Sequence, residues 1–175
     1  MTSLIPINFL RFVLFIFAQV FFFSNIRIHP LIDIYVYPIF ILLLPFQVPR
    51  WLLMILAFAI GISIDMLLGT LGMHAAVSVL LAYIRPMLIN VITPKGTEFE
   101  LTPNVFIQGS GWFLIYFSLA YIISLGTYFI IEAGTFYNLF WLFVKIVTSV
   151  FFSVLSSLII IYLFTADKKR RHAAR

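Results

Sequence analysis

The chain has no cysteine among its 175 residues, and only 10% of them are charged. The first absence removes disulfides, thiolate nucleophiles and thiolate metal sites, and leaves no redox signature of compartment. The second leaves too little polar surface for a soluble domain, in which about 25% of residues are charged. In its place stands a 63% hydrophobic composition, against roughly 45 to 50% in soluble proteins. The expected class is an all-α integral membrane protein. The length allows about six spans of roughly 20 residues with short connections, hence one transmembrane domain over 1–164 and a short tail over 165–175.

Hydropathy, punctuated by proline, glycine and charge, predicts spans at about 7–26, 32–46, 51–68, 73–92, 110–131 and 137–164. The second is short for roughly 30 Å of hydrocarbon and carries Pro38 and Pro45, so it is expected to be a kinked span or a re-entrant piece sheltered by its neighbours. The net charge of +5 is uneven, with Lys168, Lys169, Arg170, Arg171 and Arg175 in the last eight residues. Such a run beside an apolar helix is a topology signal facing anionic lipid rather than a nucleic-acid site. With six crossings, Arg11, Arg50, Lys95 and the tail share one side, which places both termini in the cytoplasm. The loop "TPKGTEFELTPN" (93–104) is the only substantial hydrophilic connection, a connector or a docking point for cytoplasmic proteins.

Polar residues inside spans face the bundle interior, so their spacing is informative. Ala57, Gly61, Asp65 and Gly69 recur every fourth residue, a seam of small side chains with one carboxylate. His74, Ser78, Ala82 and Arg85 share one face of the next span, and Lys145, Ser149, Ser153 and Ser156 run along the last. Asp65 lies roughly 5 Å from the end of its helix, and His74 opens the next helix after a tight Gly69 to Gly72 turn. Lys145 lies about 12 Å into the last span. The three are therefore expected at one level, as an electrostatic clasp between the third, fourth and sixth helices. A pocket for a polar ligand and a proton relay are the competing readings. Arg85, deeper in the bundle and followed by Pro86, matches Asp65 poorly in level and is expected to support backbone carbonyls or headgroups, or to contact a partner.

Catalysis lacks its parts. There is no intramembrane carboxylate pair, no Gly-x-Ser-x-Gly, no His-Glu-x-x-His and no phosphate-cradling glycine loop. His29 and His172 lie beside Pro30 and in the charged tail, without ligand spacing, so no metal or cofactor is expected. The phenylalanines, 21 in all, read as lipid-facing and packing bulk. Tyr35, Tyr37, Trp51, Tyr83, Trp112 and Tyr137 mostly fall near span ends, as interfacial anchors do.

The stretches "YVYPIFILLLPFQVPRW" (35–51) and "GISIDMLLGTLGMHAAVSVLLAYIRP" (61–86) resemble the bacterial rod shape-determining MreD family. The likeness centres on Gly61, Asp65, Leu71, Gly72 and His74, with the Arg85–Pro86 pair, and covers about a third of the chain. It implies a non-enzymatic scaffold of the cell-elongation complex in the bacterial inner membrane. Its implied partners are a membrane-anchored MreC-like protein and an MreB-like actin filament. A RodA-type glycosyltransferase and a penicillin-binding transpeptidase would be reached indirectly. The implied fold is a six-helix transmembrane bundle similar to the substrate-binding subunit of vitamin-type transporters. A solute-binding subunit of such a transporter is therefore the alternative function.

Overall fold

The structure is a computed structural model. It describes residues 4–26, 31–93, 103, 108–134 and 138–173, with side chains described between 8 and 163 of these. Helix α1 (Leu4–Phe17) runs on through a π-helical turn (Ala18–Phe22) and a 3-10 turn (Phe23–Asn25). There follow α2 (Pro38–Leu43), α3 (Arg50–Leu68), α4 (Met73–Ile92), α5 (Ser110–Ala133) and α6 (Leu139–Ala173). Among the described residues, five stretches are long and apolar enough to cross a membrane: Asn8–Asn25, Arg50–Leu68, Met73–Ile92, Ser110–Ala133 and Leu139–Leu163. At 1.5 Å per residue these span about 27 to 38 Å. Phe9, Phe22, Met66, Phe140 and Tyr162 stand exposed on their outer faces, as lipid-facing side chains do. The last helix continues to Ala173, so no break in the backbone separates the span from the basic tail expected at 165. The 93–104 loop, apart from Thr93 and Pro103, lies outside the described residues, as do Arg27, His29 and Tyr137.

The expected span over 32–46 is not a continuous helix. Residues 31–37 are non-helical, and only Pro38–Leu43 is α-helical. The local sequence accounts for this: Ile32, Ile34 and Val36 alternate with Asp33, Tyr35 and Tyr37, a period-2 pattern of β-branched and aromatic residues. Pro38, expected to kink a helix, instead starts one at a position where its missing N–H costs nothing. Val36, Ile39, Ile41 and Leu42 are completely buried, so this segment forms the centre of the molecule. Tyr35 and Tyr37 are buried with it and are not interfacial anchors, whereas Trp51 and Tyr83 are exposed.

Non-helical backbone inside an apolar bundle must find hydrogen bonds from the surrounding helices. Gln19, in the π-helical turn of α1, supplies several: its Nε2 donates to the Ile34 carbonyl at 3.1 Å, and its Oε1 accepts from the Val36 amide at 2.8 Å. From α6, Ser149 and Ser153 hydroxyls accept the Asp33 and Tyr35 amides at 3.1 and 2.9 Å, and Thr148 donates to the Leu31 carbonyl at 2.7 Å. The polar stripe on α6 thus serves backbone. Its third buried serine is Ser157 rather than Ser156, bonded to the Tyr121 hydroxyl at 2.7 Å. Gln19→Leu, close in volume but unable to bond, is expected to cost about 2 to 3 kcal/mol by stranding two backbone groups. Thermal unfolding of the detergent-solubilised chain measures it, and an unchanged midpoint would show that the segment is held by packing alone.

Helices α3 and α4 form a tight hairpin. Gly69 and Gly72 adopt left-handed φ of 72° and 83°, values that favour glycine. Gly61 is the point of closest approach: a Cβ there would stand 2.4 Å from the Ala75 Cα. Ala57 and Gly61 are therefore part of the seam expected from the sequence, while Gly69 closes the helix and is not in it: a Cβ there would meet nothing within 4 Å. Gly61→Ala should cost about 2 kcal/mol by forcing the helices apart. Gly126→Ala, where a Cβ meets nothing within 4 Å, is the control and should leave the unfolding midpoint unchanged or higher.

Candidate functional site

The hairpin turn carries the densest set of polar contacts. The Asp65 carboxylate is buried between α3 and α4, and four donor groups surround it. The His74 amide donates to Oδ1 at 3.1 Å and the Ala75 amide to Oδ2 at 2.8 Å. The Thr70 hydroxyl lies 2.5 Å from Oδ1, and the His74 Nδ1 2.9 Å from it. Met73 is the first residue of α4, so these two amides belong to its unpaired first turn. Asp65 therefore caps α4 from the end of the preceding helix, placing a negative charge at the positive end of the helix dipole. Gly72, which precedes α4, has no side chain to do so. The Asp65 carbonyl also accepts the Gly69 and Thr70 amides at 2.8 and 3.1 Å, ending α3. One residue thus closes one helix and opens the next.

The expected clasp is half correct. Asp65 and His74 meet, but Lys145 pairs with Asp33 Oδ2 at 3.1 Å and Glu132 Oε2 at 2.9 Å, and its nitrogen lies 4.5 Å from the Phe129 ring centre. The depth estimate placed Lys145 at a suitable level, but rotation about the helix axis decides the partner. The Asp65 oxygens are turned to the start of α4, and two less buried carboxylates stand nearer to Lys145.

Arg85 lies about 16 Å along α4 from His74, at the far end of the central segment. It is 2% exposed, and its guanidinium donates to the Leu42 and Leu44 carbonyls and, at 3.1 Å, to the Tyr116 hydroxyl. The Tyr116 hydroxyl donates in turn to Leu42 at 3.3 Å. Arg85 is therefore a support for backbone carbonyls, caps the C-terminal end of α2 and complements its dipole. Pro86 follows it within the unbroken span of α4.

Beside the Asp65–His74 pair lies a cavity of about 280 Å³ with walls formed by Asp33, Tyr35, Thr70, His74, Tyr128 and Glu132. A second hollow, of about 490 Å³ between α5 and α6, is walled by apolar residues including Leu114, Ile122, Phe143 and Phe151. The His74 ring sits among the rings of Tyr35, Tyr37 and Tyr128, at centroid distances of 5.9, 5.6 and 5.0 Å. Its Nδ1 is engaged by Asp65, and its buried Nε2 has no hydrogen-bond partner among the described residues. With Nδ1 donating to the carboxylate, Nε2 is an acceptor in the uncharged tautomer. Among the described residues no group of three potential ligands stands close enough to hold a metal ion.

Sequence reasoning did not single out Gln19, Thr70, Tyr116 or Tyr128. Gln19 had a usable signal, being the one amide in the apolar run from Phe12 to Phe23. The others are ordinary residues whose roles come from their neighbours. Comparison of the chain with family models, curated proteins and solved structures finds no match.

Proposed function

We propose that this chain is a non-enzymatic scaffold of the bacterial cell-elongation complex, of the MreD kind. The observation that carries the reading is the use to which the motif residues are put. Gly61, Asp65, Gly72 and His74 build the α3–α4 hairpin, and Arg85 supports the central segment, so the stretch resembling the family is architectural. With Asp65 and Arg85 spent on the chain's own backbone, its partners would meet helix surfaces and loops. In this reading the five long helices and the buried 31–44 segment make six crossings, in the manner of vitamin-type transporter subunits. Both termini are cytoplasmic, in keeping with the side on which Arg11, Arg50 and the tail cations fall. An MreC-like membrane-anchored protein is the direct partner, with an MreB-like filament, a RodA-type glycosyltransferase and a penicillin-binding transpeptidase reached through it.

The test is affinity purification of the tagged full chain from a rod-shaped bacterial host, together with depletion. Recovery of an MreC-like protein and rounding of depleted cells are the expected results. A second reading, a solute-binding subunit of a vitamin-type transporter, draws on the polar cavity beside His74. Recovery of an ATP-driven transporter module, with cell shape retained, would replace the first reading with the second.

A further inference from the structure

We propose that the cavity beside His74 binds a small organic ammonium ion. The inference rests on the cavity alone and is independent of whether the chain serves as scaffold or transporter subunit.

Asp33 and Glu132 contribute two carboxylates to the cavity wall, and Lys145 is the only cation in contact with them among the described ion pairs. Among the described side chains, two carboxylates thus face one cation at this wall. Together with Asp65 immediately behind, three of the six acidic residues of the whole chain lie in or next to this one hollow. Charged side chains in a membrane bundle are costly, and such a concentration marks a place where a cation is handled.

An independent feature lies deeper. His74 is 1% exposed and forms part of the wall, and its Nε2 has no protein partner although the other ring nitrogen is firmly held. A buried acceptor left open costs free energy unless something donates to it. The ligand therefore carries N–H donors as well as charge. Tyr35 and Tyr128 line the same hollow, and electron-rich rings attract a cation at close range.

Lys145 shows how the wall receives such a group. Its own primary ammonium is held by Asp33 and Glu132 at 3.1 and 2.9 Å and lies 4.5 Å from an aromatic ring centre. A ligand ammonium would meet the same chemistry from the cavity side. The volume, about 280 Å³, suits a compact organic ion rather than a large cofactor. A bare metal ion, which needs several oxygen or nitrogen ligands converging on one point, does not find them among the described residues.

The experiment is calorimetric titration of the purified full chain in detergent with n-propylammonium chloride, with n-propanol as the neutral probe of equal size and sodium chloride to match ionic strength. Saturable binding of propylammonium in the millimolar range or tighter is expected, with none of propanol. The Asp33→Asn/Glu132→Gln double variant should bind at least about tenfold more weakly. Should that variant fail to fold, Glu132→Gln alone, which keeps the Asp33–Lys145 pair, should weaken binding about threefold. Absence of saturable propylammonium binding, equal binding of propanol, or wild-type affinity in a folded variant would each overturn the proposal.

Discussion

Asp65→Ala is expected to lower the stability of the detergent-solubilised chain by about 4 kcal/mol. The substitution removes the acceptor for the His74 and Ala75 amides, the Thr70 hydroxyl and the His74 ring. Hydrogen bonds to a charged group contribute about 1.5 to 3 kcal/mol each, and stranding buried donors costs about 1 to 3 kcal/mol. The individual losses do not add fully, because the groups share one small site. Asp65→Asn keeps one oxygen and should cost about half as much. Circular dichroism of thermal unfolding reads both values. If Asp65→Ala unfolds at the wild-type temperature, the Gly61–Ala75 contact alone holds the hairpin and the capping account is wrong. A relay makes the opposite forecast: Asp65→Asn would fold normally and abolish a pH-dependent flux in liposomes.

Arg85→Leu should be nearly as damaging, about 3 kcal/mol, through a different element. The Leu44 and Leu42 carbonyls would both lose a charged donor, while Leu42 keeps the Tyr116 hydroxyl. The end of α2 is buried, so no water can take the place of the guanidinium. Arg85→Lys keeps the charge but not the fork that reaches two carbonyls and a hydroxyl together, and should recover less than half of the loss. Accumulation in the membrane and unfolding midpoint are the readouts. Full stability in Arg85→Leu would mean that α2 is held by apolar packing, leaving Arg85 free to serve a partner. By contrast the Lys145 pairs, half open to solvent, are of the kind worth under about 1 kcal/mol.

The two substitutions act at opposite ends of the same construction. From Tyr35 beside His74 to Leu44 beside Arg85, the central segment runs along α4 and is bonded by α1, α4, α5 and α6 in turn. Its non-helical half has no neighbouring strand among the described residues, so glutamine and hydroxyl side chains substitute for a ladder. This accounts for Gln19, Arg85, Ser149 and Ser153 in a chain that otherwise avoids polar side chains.

Much of this was readable in the residues. Composition identified a membrane bundle, because a chain with so few charges has no other medium in which to bury its apolar surface. Spacing of four along α3 located the Ala57–Gly61 seam and brought Asp65 to the level of His74, since both follow from helix periodicity and a short turn. The level of Arg85 excluded Asp65 as its partner for the same reason. Those relations are local, involving residues within one helix or across one tight connection.

Tertiary structure decided the remainder. Lys145 found Asp33 and Glu132 rather than Asp65, Ser149 and Ser153 turned out to bond backbone, and 32–46 proved non-helical up to Tyr37, with only Pro38–Leu43 in a helix. Each depends on how helices distant in the chain are rotated about their axes, and on which buried backbone lies opposite. Rise per residue sets the depth of a side chain, but the azimuth of one helix against another is set by the packing of the whole bundle. Depth was therefore legible in the sequence, and partnership was not.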